Sequence, residues 1–331
     1  MLQLNNRTPF EAELTALNDE TGVETLYVIV KASFTEGWML ADEPVPVWRA
    51  DEYYGEPHES SLRYPSEIHL GKTATDILVE GDAWAPDGRP VRQLPVTVSV
   101  GRVSQSLMVF GDRRWDQGQI SVADPFERMP LTWERAYGGA VAEGDRRRVY
   151  SERNPVGRFA SAQCNDRPVD GELMPNIEHP QALLRNRDDS PEPVGLGPVA
   201  PHWQPRTRFV GTYDQQWRLS RAPFAPEDFS RRFFNAAAPG LVYPGWMRGG
   251  EPFELAGMHP DGAWTGQLPE VPLSVNAHHG GRHEPLEVRL ETLYFQPLKR
   301  TVSLTWRASL SCPRDVLSVE SVTVSMTRQP R

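Results

Sequence analysis

LEVRLETLYFQPLKRTVSLTW, from Leu286 to Trp306, is the stretch that decides the fold. Leu286, Val288, Leu290 and Leu293 begin one arm, and Val302, Leu304 and Trp306 form the other. Phe295 to Thr301 contains the turn, through Pro297. A period near two, broken by Pro, is the pattern of a β-hairpin with one face on a core. The same period recurs outward. Leu26, Val28, Val30, Ala32 and Phe34 share one face of a half-buried strand, and Val96, Val98 and Val100 share another. Val316, Val319, Val322 and Val324 alternate with a slip that suggests a bulge. Asp76–Trp84, Val103–Phe110, Arg208–Tyr213 and Pro252–Gly257 read as further strands.

Helix signals are few. Pro226 to Ala238, PEDFSRRFFNAAA, has Pro and acids in a first turn and stops at Pro239-Gly240. Leu131 to Tyr137 is a candidate short helix ended by Gly138-Gly139. The 31 prolines and 26 glycines interrupt any pattern long enough for a long helix. The expected class is therefore mainly β: antiparallel sheets in a sandwich- or barrel-like arrangement, with long Pro/Gly-rich loops and few short helices. Residues 140–204 are polar, Pro-rich and aperiodic, and read as loops laid over a β core. The chain is read as one domain, 1–331. Its alternative division is 1–139 and 205–331 around the 140–204 insert.

Composition excludes several function classes. MLQLNNRTPF at the start has no apolar run, and no stretch is long enough to span a membrane, so a cytoplasmic protein without membrane contact is expected. Cys164 and Cys312 cannot build a disulfide framework or a four-thiolate zinc site, and read as small core residues. Net charge is -9, against the basic excess of a nucleic-acid binder, so no nucleic-acid partner is expected. The Arg146-Arg147-Arg148 run follows two acids, Glu143 and Asp145, and reads as a solvated loop.

No catalytic signature stands out. His278-His279-Gly280-Gly281-Arg282-His283 has imidazoles for a metal, but two glycines break any ligand-bearing helix. The plainer reading is a polar hairpin turn, and neither metal nor cofactor is expected. Phosphate-binding glycine loops and a nucleophile elbow are missing. Trp–carboxylate neighbours could serve a glycosidase. They are Asp112 and Asp116 around Trp115, Glu134 beside Trp133, and Asp214 before Trp217. The bland reading is structural ion pairs, Asp112 with Arg113 or Arg114 and Glu134 with Arg135.

A run of motifs carries the reading further. NRTPF at Asn6–Phe10, VIVKASF at Val28–Phe34 and SLRYPSEIHLGKTATDILVEGDAWAP at Ser61–Pro86 come first. VFGDRRW (Val109–Trp115), PFERMPLTWERAYGG (Pro125–Gly139), NPVGRF (Asn154–Phe159) and MPNIEHP (Met174–Pro180) follow. RFVGTYDQQW (Arg208–Trp217), RAPFAPEDFSRRFFNAA (Arg221–Ala237) and LETLYF with LTWR complete the series. In this order they resemble a bacterial family, domain of unknown function 2169, associated with type VI secretion genes. The chain departs from that family's pattern at Glu67, where Asp is usual, and near Leu70, where Pro is.

The resemblance implies a non-enzymatic adaptor or chaperone. It would bind a toxin effector through its PAAR-like domain and help load it onto the spike protein, touching the spike directly or through the toxin. Interfaces centre on aromatic and Arg side chains. Tyr53, Tyr54, Tyr64, Trp115, Trp203 and Trp246, in Pro/Gly-rich context, are the candidate partner-binding residues. The competing readings are a carbohydrate-active enzyme or sugar-binding module, and a piece of the secretion apparatus exported with the toxin. A toxin gene next door, polysaccharide genes next door, or the protein in culture supernatant would support each in turn.

Overall fold

A computed structural model describes residues 2–143, 146–160, 170–313 and 315–326. Three sheets carry the fold. Their strands are β1 (Gln3–Asn6), β2 (Glu11–Asn18), β3 (Glu24–Thr35), β4 (Asp76–Val79), β5 (Gln93–Val100), β6 (Val103–Phe110) and β7 (Ile177–Glu178). The later ones are β8 (Pro252–Ala256), β9 (Trp264–Gln267), β10 (Leu273–His279), β11 (Arg282–Leu286), β12 (Arg289–Gln296), β13 (Thr301–Ser311) and β14 (Val319–Met326). The central sheet has the order β2-β3-β13-β12-β4, the second β7-β6-β5-β8-β9 and the third β1-β14-β10-β11. Among the described residues no sheet closes into a barrel. Within these three sheets pairing is antiparallel except β4 with β12 and β1 with β14, which are parallel and require crossovers.

The hairpin that opened the sequence reading forms as β12 and β13, with Leu293 opposite Leu304 and Phe295 opposite Val302. Pro297–Lys299 makes a 3-10 turn between them. The register shifts between Leu290 and Thr292, so Glu291 is the bulged residue. On β3 and β13 the odd-even alternation separates two faces. Val30 sits opposite Trp306, Ala32 opposite Leu304 and Phe34 opposite Val302. This face meets the second sheet, where Phe253 and Trp264 pack on Phe295 with centroids 5.4 and 5.8 Å apart. One hydrophobic cluster runs from Phe10 to Val324 and includes buried residues of all three sheets.

The other face of β3 and β13 carries Tyr27, Lys31, Ser33, Ser303, Thr305 and Arg307. Alternation implied that it meets solvent. It is buried instead, because the segment from Trp48 to Thr75 crosses it and supplies matching charges. Other expectations also changed. Pro226–Ala238 is not a helix: only Arg231–Phe234 forms a 3-10 turn. Asp76 accepts hydrogen bonds from Asn235 Nδ2 at 2.9 Å and the Ala236 N–H at 2.7 Å, drawing the chain out of helical pairing. Arg208–Tyr213 is a 3-10 turn and loop rather than a strand. Val316 lies in a 3-10 turn, and the strand starts at Val319. Leu131–Tyr137 contracts to one 3-10 turn, Trp133–Arg135. Within 140–204, Ala140–Glu143 pairs with Arg146–Val149, so the arginine run lies on a short hairpin.

Candidate functional site

The Ser61–Pro86 motif explains the buried polar face. Glu67 replaces the solvent of Lys31: Lys31 Nζ donates to Glu67 Oε2 at 2.8 Å and stands 3.4 Å over the Trp48 ring. The same carboxylate accepts from the Trp48 N–H at 2.8 Å and Thr305 Oγ1 at 2.6 Å. Arg307 donates to Glu291 at 2.6 Å and to the Glu67 carbonyl at 2.6 Å. Lys72 Nζ donates to Asp76 at 2.7 Å and to Thr292 at 2.7 Å. Three cations and three carboxylates thus share one enclosed layer. Such groups persist in a core only when each is paired and hydrogen-bonded. His69 stacks on Phe234 at 4.9 Å inside this layer. Burial first, then Arg307 and Lys72, hold its imidazole neutral well below the usual range. Burial likewise lowers the Lys31 ammonium, with Glu67 opposing.

The middle motifs form a second network. Asn176 Oδ1 accepts from Arg135 at 3.1 Å and Arg158 at 2.9 Å, while its Nδ2 donates to Phe110 O at 3.1 Å and Asp112 at 2.9 Å. Arg113 pairs with Glu178, not with Asp112, and lies 3.8 Å over the Phe110 ring. Glu134 accepts from the Ser61 N–H at 2.6 Å and from the Ser61 hydroxyl. The expected neighbour pairs, Asp112 with Arg113 or Arg114 and Glu134 with Arg135, are therefore replaced by longer-range partners. Asn154 Nδ2 ties Trp133 O to Tyr137 O at 2.8 and 2.9 Å. A Cβ on Gly157 would stand 2.4 Å from that nitrogen, which accounts for the glycine in NPVGRF. These motif side chains are engaged in holding loops together.

The six sequence candidates scatter. Trp115 is buried in a small satellite cluster with Phe159 and Met174. Trp203 is buried against Trp133, 6.2 Å away edge to face. Neither is available at the surface. Trp246 is half-buried under the Arg289 guanidinium at 5.3 Å. Tyr53 and Tyr64 are half-buried, on the paired segments Glu52–Tyr53 and Leu62–Tyr64. Tyr64 stacks on Trp48 at 4.7 Å. Tyr54 is exposed, with Arg63 over its ring at 5.6 Å. Arg63 lies over both the Tyr54 and the Tyr64 rings, whereas the Tyr53 ring faces His202 at 6.3 Å, and His202 in turn meets buried Trp203 at 6.0 Å.

A further group of exposed apolar side chains was not among the partner-binding candidates. Tyr213 is 55% exposed, Leu219 79% and Phe224 38%, all within one loop that also carries Trp217. Its neck is closed by Asp228, which accepts from the Thr212 N–H at 2.9 Å and hydroxyl at 2.7 Å, and by Ser230 N to Phe209 O at 3.0 Å. Inside it, Asp214 caps the short helix α1 (Gln215–Ser220) by accepting from the Trp217 N–H at 2.8 Å. Trp217 Nε1 donates to Phe224 O at 2.8 Å, and the Tyr213 ring meets the Trp217 ring at 4.6 Å. Arg221 fastens the loop to the β2–β3 turn through Glu20 O at 2.6 Å. The Phe224 ring lies over Gly22, where a Cβ would come within 2.9 Å. The sequence singled out Asp214 before Trp217 only as a Trp–carboxylate neighbour pair; the structure makes Asp214 the cap of a short helix instead.

The remaining candidates have structural settings. His278 lies opposite His283 across β10 and β11, rings 4.5 Å apart, with Gly280-Gly281 at the turn. His278 also meets Glu320 at 3.1 Å, and His279 meets Glu284 at 2.9 Å. Cys312 is buried, and burial raises its thiol; Cys164 lies outside the described residues. Among those residues no helix is long and apolar enough to cross a membrane.

No curated protein and no solved structure matches the chain. One family profile does, over residues 21–307, and so spans both networks and the exposed loop. The chain therefore belongs to the family described as "Uncharacterized protein conserved in bacteria (DUF2169)".

Proposed function

We propose that this chain is a non-catalytic adaptor. It binds a toxin of the type VI secretion machinery at its PAAR-like domain and delivers it to the spike. The observation that carries this reading is the Thr212–Asp228 loop. A well-tied scaffold exposes Tyr213, Leu219 and part of Phe224 on one loop, with half-buried Trp217 against Tyr213, and exposed apolar side chains grouped on a surface mark a docking site. The motif residues support it indirectly, since they are engaged in shaping the scaffold. A spike-tip domain exposes strand edges and apolar surface before assembly, and a partner that covers them prevents aggregation. In cells lacking this chain, the toxin encoded beside it should fall several-fold in abundance and cease to be secreted. Normal toxin accumulation and secretion would refute the adaptor reading.

A sugar-binding module is the second reading. One observation favours it: Trp217 shares a cavity with Asp214, Glu227 and Asp228, an aromatic platform beside carboxylates.

A further inference from the structure

The cavity beneath Trp217 has a volume of about 230 Å3, enough for one long side chain. Asp214, Glu227 and Asp228 line it, against a single cation, Arg221. Arg221 is spent on the scaffold, donating Nε to Ala225 O at 2.8 Å and Nη2 to Glu20 O. Asp214 and Asp228 each hold backbone N–H groups of the loop, and so stay aimed at fixed positions. Glu227 makes no hydrogen bond or ion pair among the described residues. The mouth is therefore acidic, with an indole in its wall and Leu219 and Tyr213 exposed on the same loop.

We infer that this cavity receives a lysine or arginine side chain of a partner polypeptide, whose neighbouring apolar residues lie on Leu219 and Tyr213. The assignment rests on the adaptor reading and deepens it by naming the chemistry of the docked segment. A cation is attracted by the three carboxylates, and its aliphatic stem can lie on the indole in the wall, whereas an acidic segment is repelled. The net charge of -9 adds a long-range pull of the same sign. A neutral sugar would use the indole and carboxylates but would leave Leu219 and Tyr213 without a role.

The indole N–H resonance of Trp217, identified by its loss in Trp217→Phe, reports the site. A short peptide alternating Lys and Leu should shift it saturably. The affinity should drop several-fold between 0.1 and 1 M salt, where screening shortens from about 10 to about 3 Å. Glu227→Lys, a change on an exposed side chain, should weaken binding about tenfold. No shift, or an equal response to a Glu–Leu peptide or to a neutral disaccharide, would overturn the assignment. Co-purification with the neighbouring toxin separates this from the adaptor reading. A toxin that still binds Glu227→Lys combined with Leu219→Asp docks elsewhere, which sinks the cavity assignment alone. A peptide that binds where wild-type protein captures no toxin sinks the adaptor reading alone.

Discussion

Lys31 lies at the centre of an otherwise apolar strand, and its charge is tolerated because Glu67 reaches it from a segment far away in sequence. Alternation made Lys31 legible as the off-face residue; its partner was not, since nothing local links positions 31 and 67. Replacing Lys31 by Met leaves Glu67 buried without its cation, and should cost about 3–5 kcal/mol in urea unfolding, the range for breaking a buried pair. A loss under about 1 kcal/mol would mean that Trp48 and Thr305 suffice for the carboxylate. His69 gives a pH signature. Its folded imidazole titrates well below 6.5, while the unfolded chain takes a proton near 6.5. Its contribution is thus complete above pH 6.5 and declines as pH falls, until the folded imidazole itself protonates. Between pH 7.5 and 5.5 the wild type should lose about 1.4 kcal/mol more than His69→Gln. Parallel pH profiles would show His69 to be accessible to protons in the fold.

At the scale of elements, strands with clean periodicity were readable and segments governed by remote partners were not. β3, β5, β12 and β13 form as strands where the periodicity put them, though only β5 alternates in burial. The Pro226–Ala238 stretch carries good helix signals, yet Asp76 claims Asn235 and Ala236, and Asp228 is used at the loop neck. Tertiary hydrogen bonds there outweigh local propensity. The exposed loop depends on its seat at Gly22, whose φ of +87° and contact with Phe224 both exclude a side chain. Gly22→Ala should cost about 1–3 kcal/mol and speed proteolytic cleavage within residues 212–224. Unchanged cleavage would mean the loop is held without that seat. Gly157→Ala, against Asn154, should destabilise the middle network by a similar amount, read as a lower urea midpoint.

At the scale of the molecule, the β class and the shortness of the helices among the described residues were legible because Pro, Gly and alternation are local signals. The candidate surface was only partly so. Choosing aromatics by loop-like context selected Trp115 and Trp203, which are core, and passed over exposed Tyr213 and Phe224 with Leu219 beside them. Composition around a residue does not reveal which way its ring turns. A partner that binds only the folded toxin stabilises it by roughly 2.7 kcal/mol at a hundredfold excess over Kd. The most direct test of the proposed adaptor role is therefore co-expression of this chain with a PAAR-like toxin from its own genome, followed by affinity capture. The wild-type chain should raise the soluble toxin and retain it through purification, while Trp217→Ala combined with Leu219→Asp should stay folded and lose it. A toxin equally soluble and uncaptured in the presence of the wild-type chain would contradict the account.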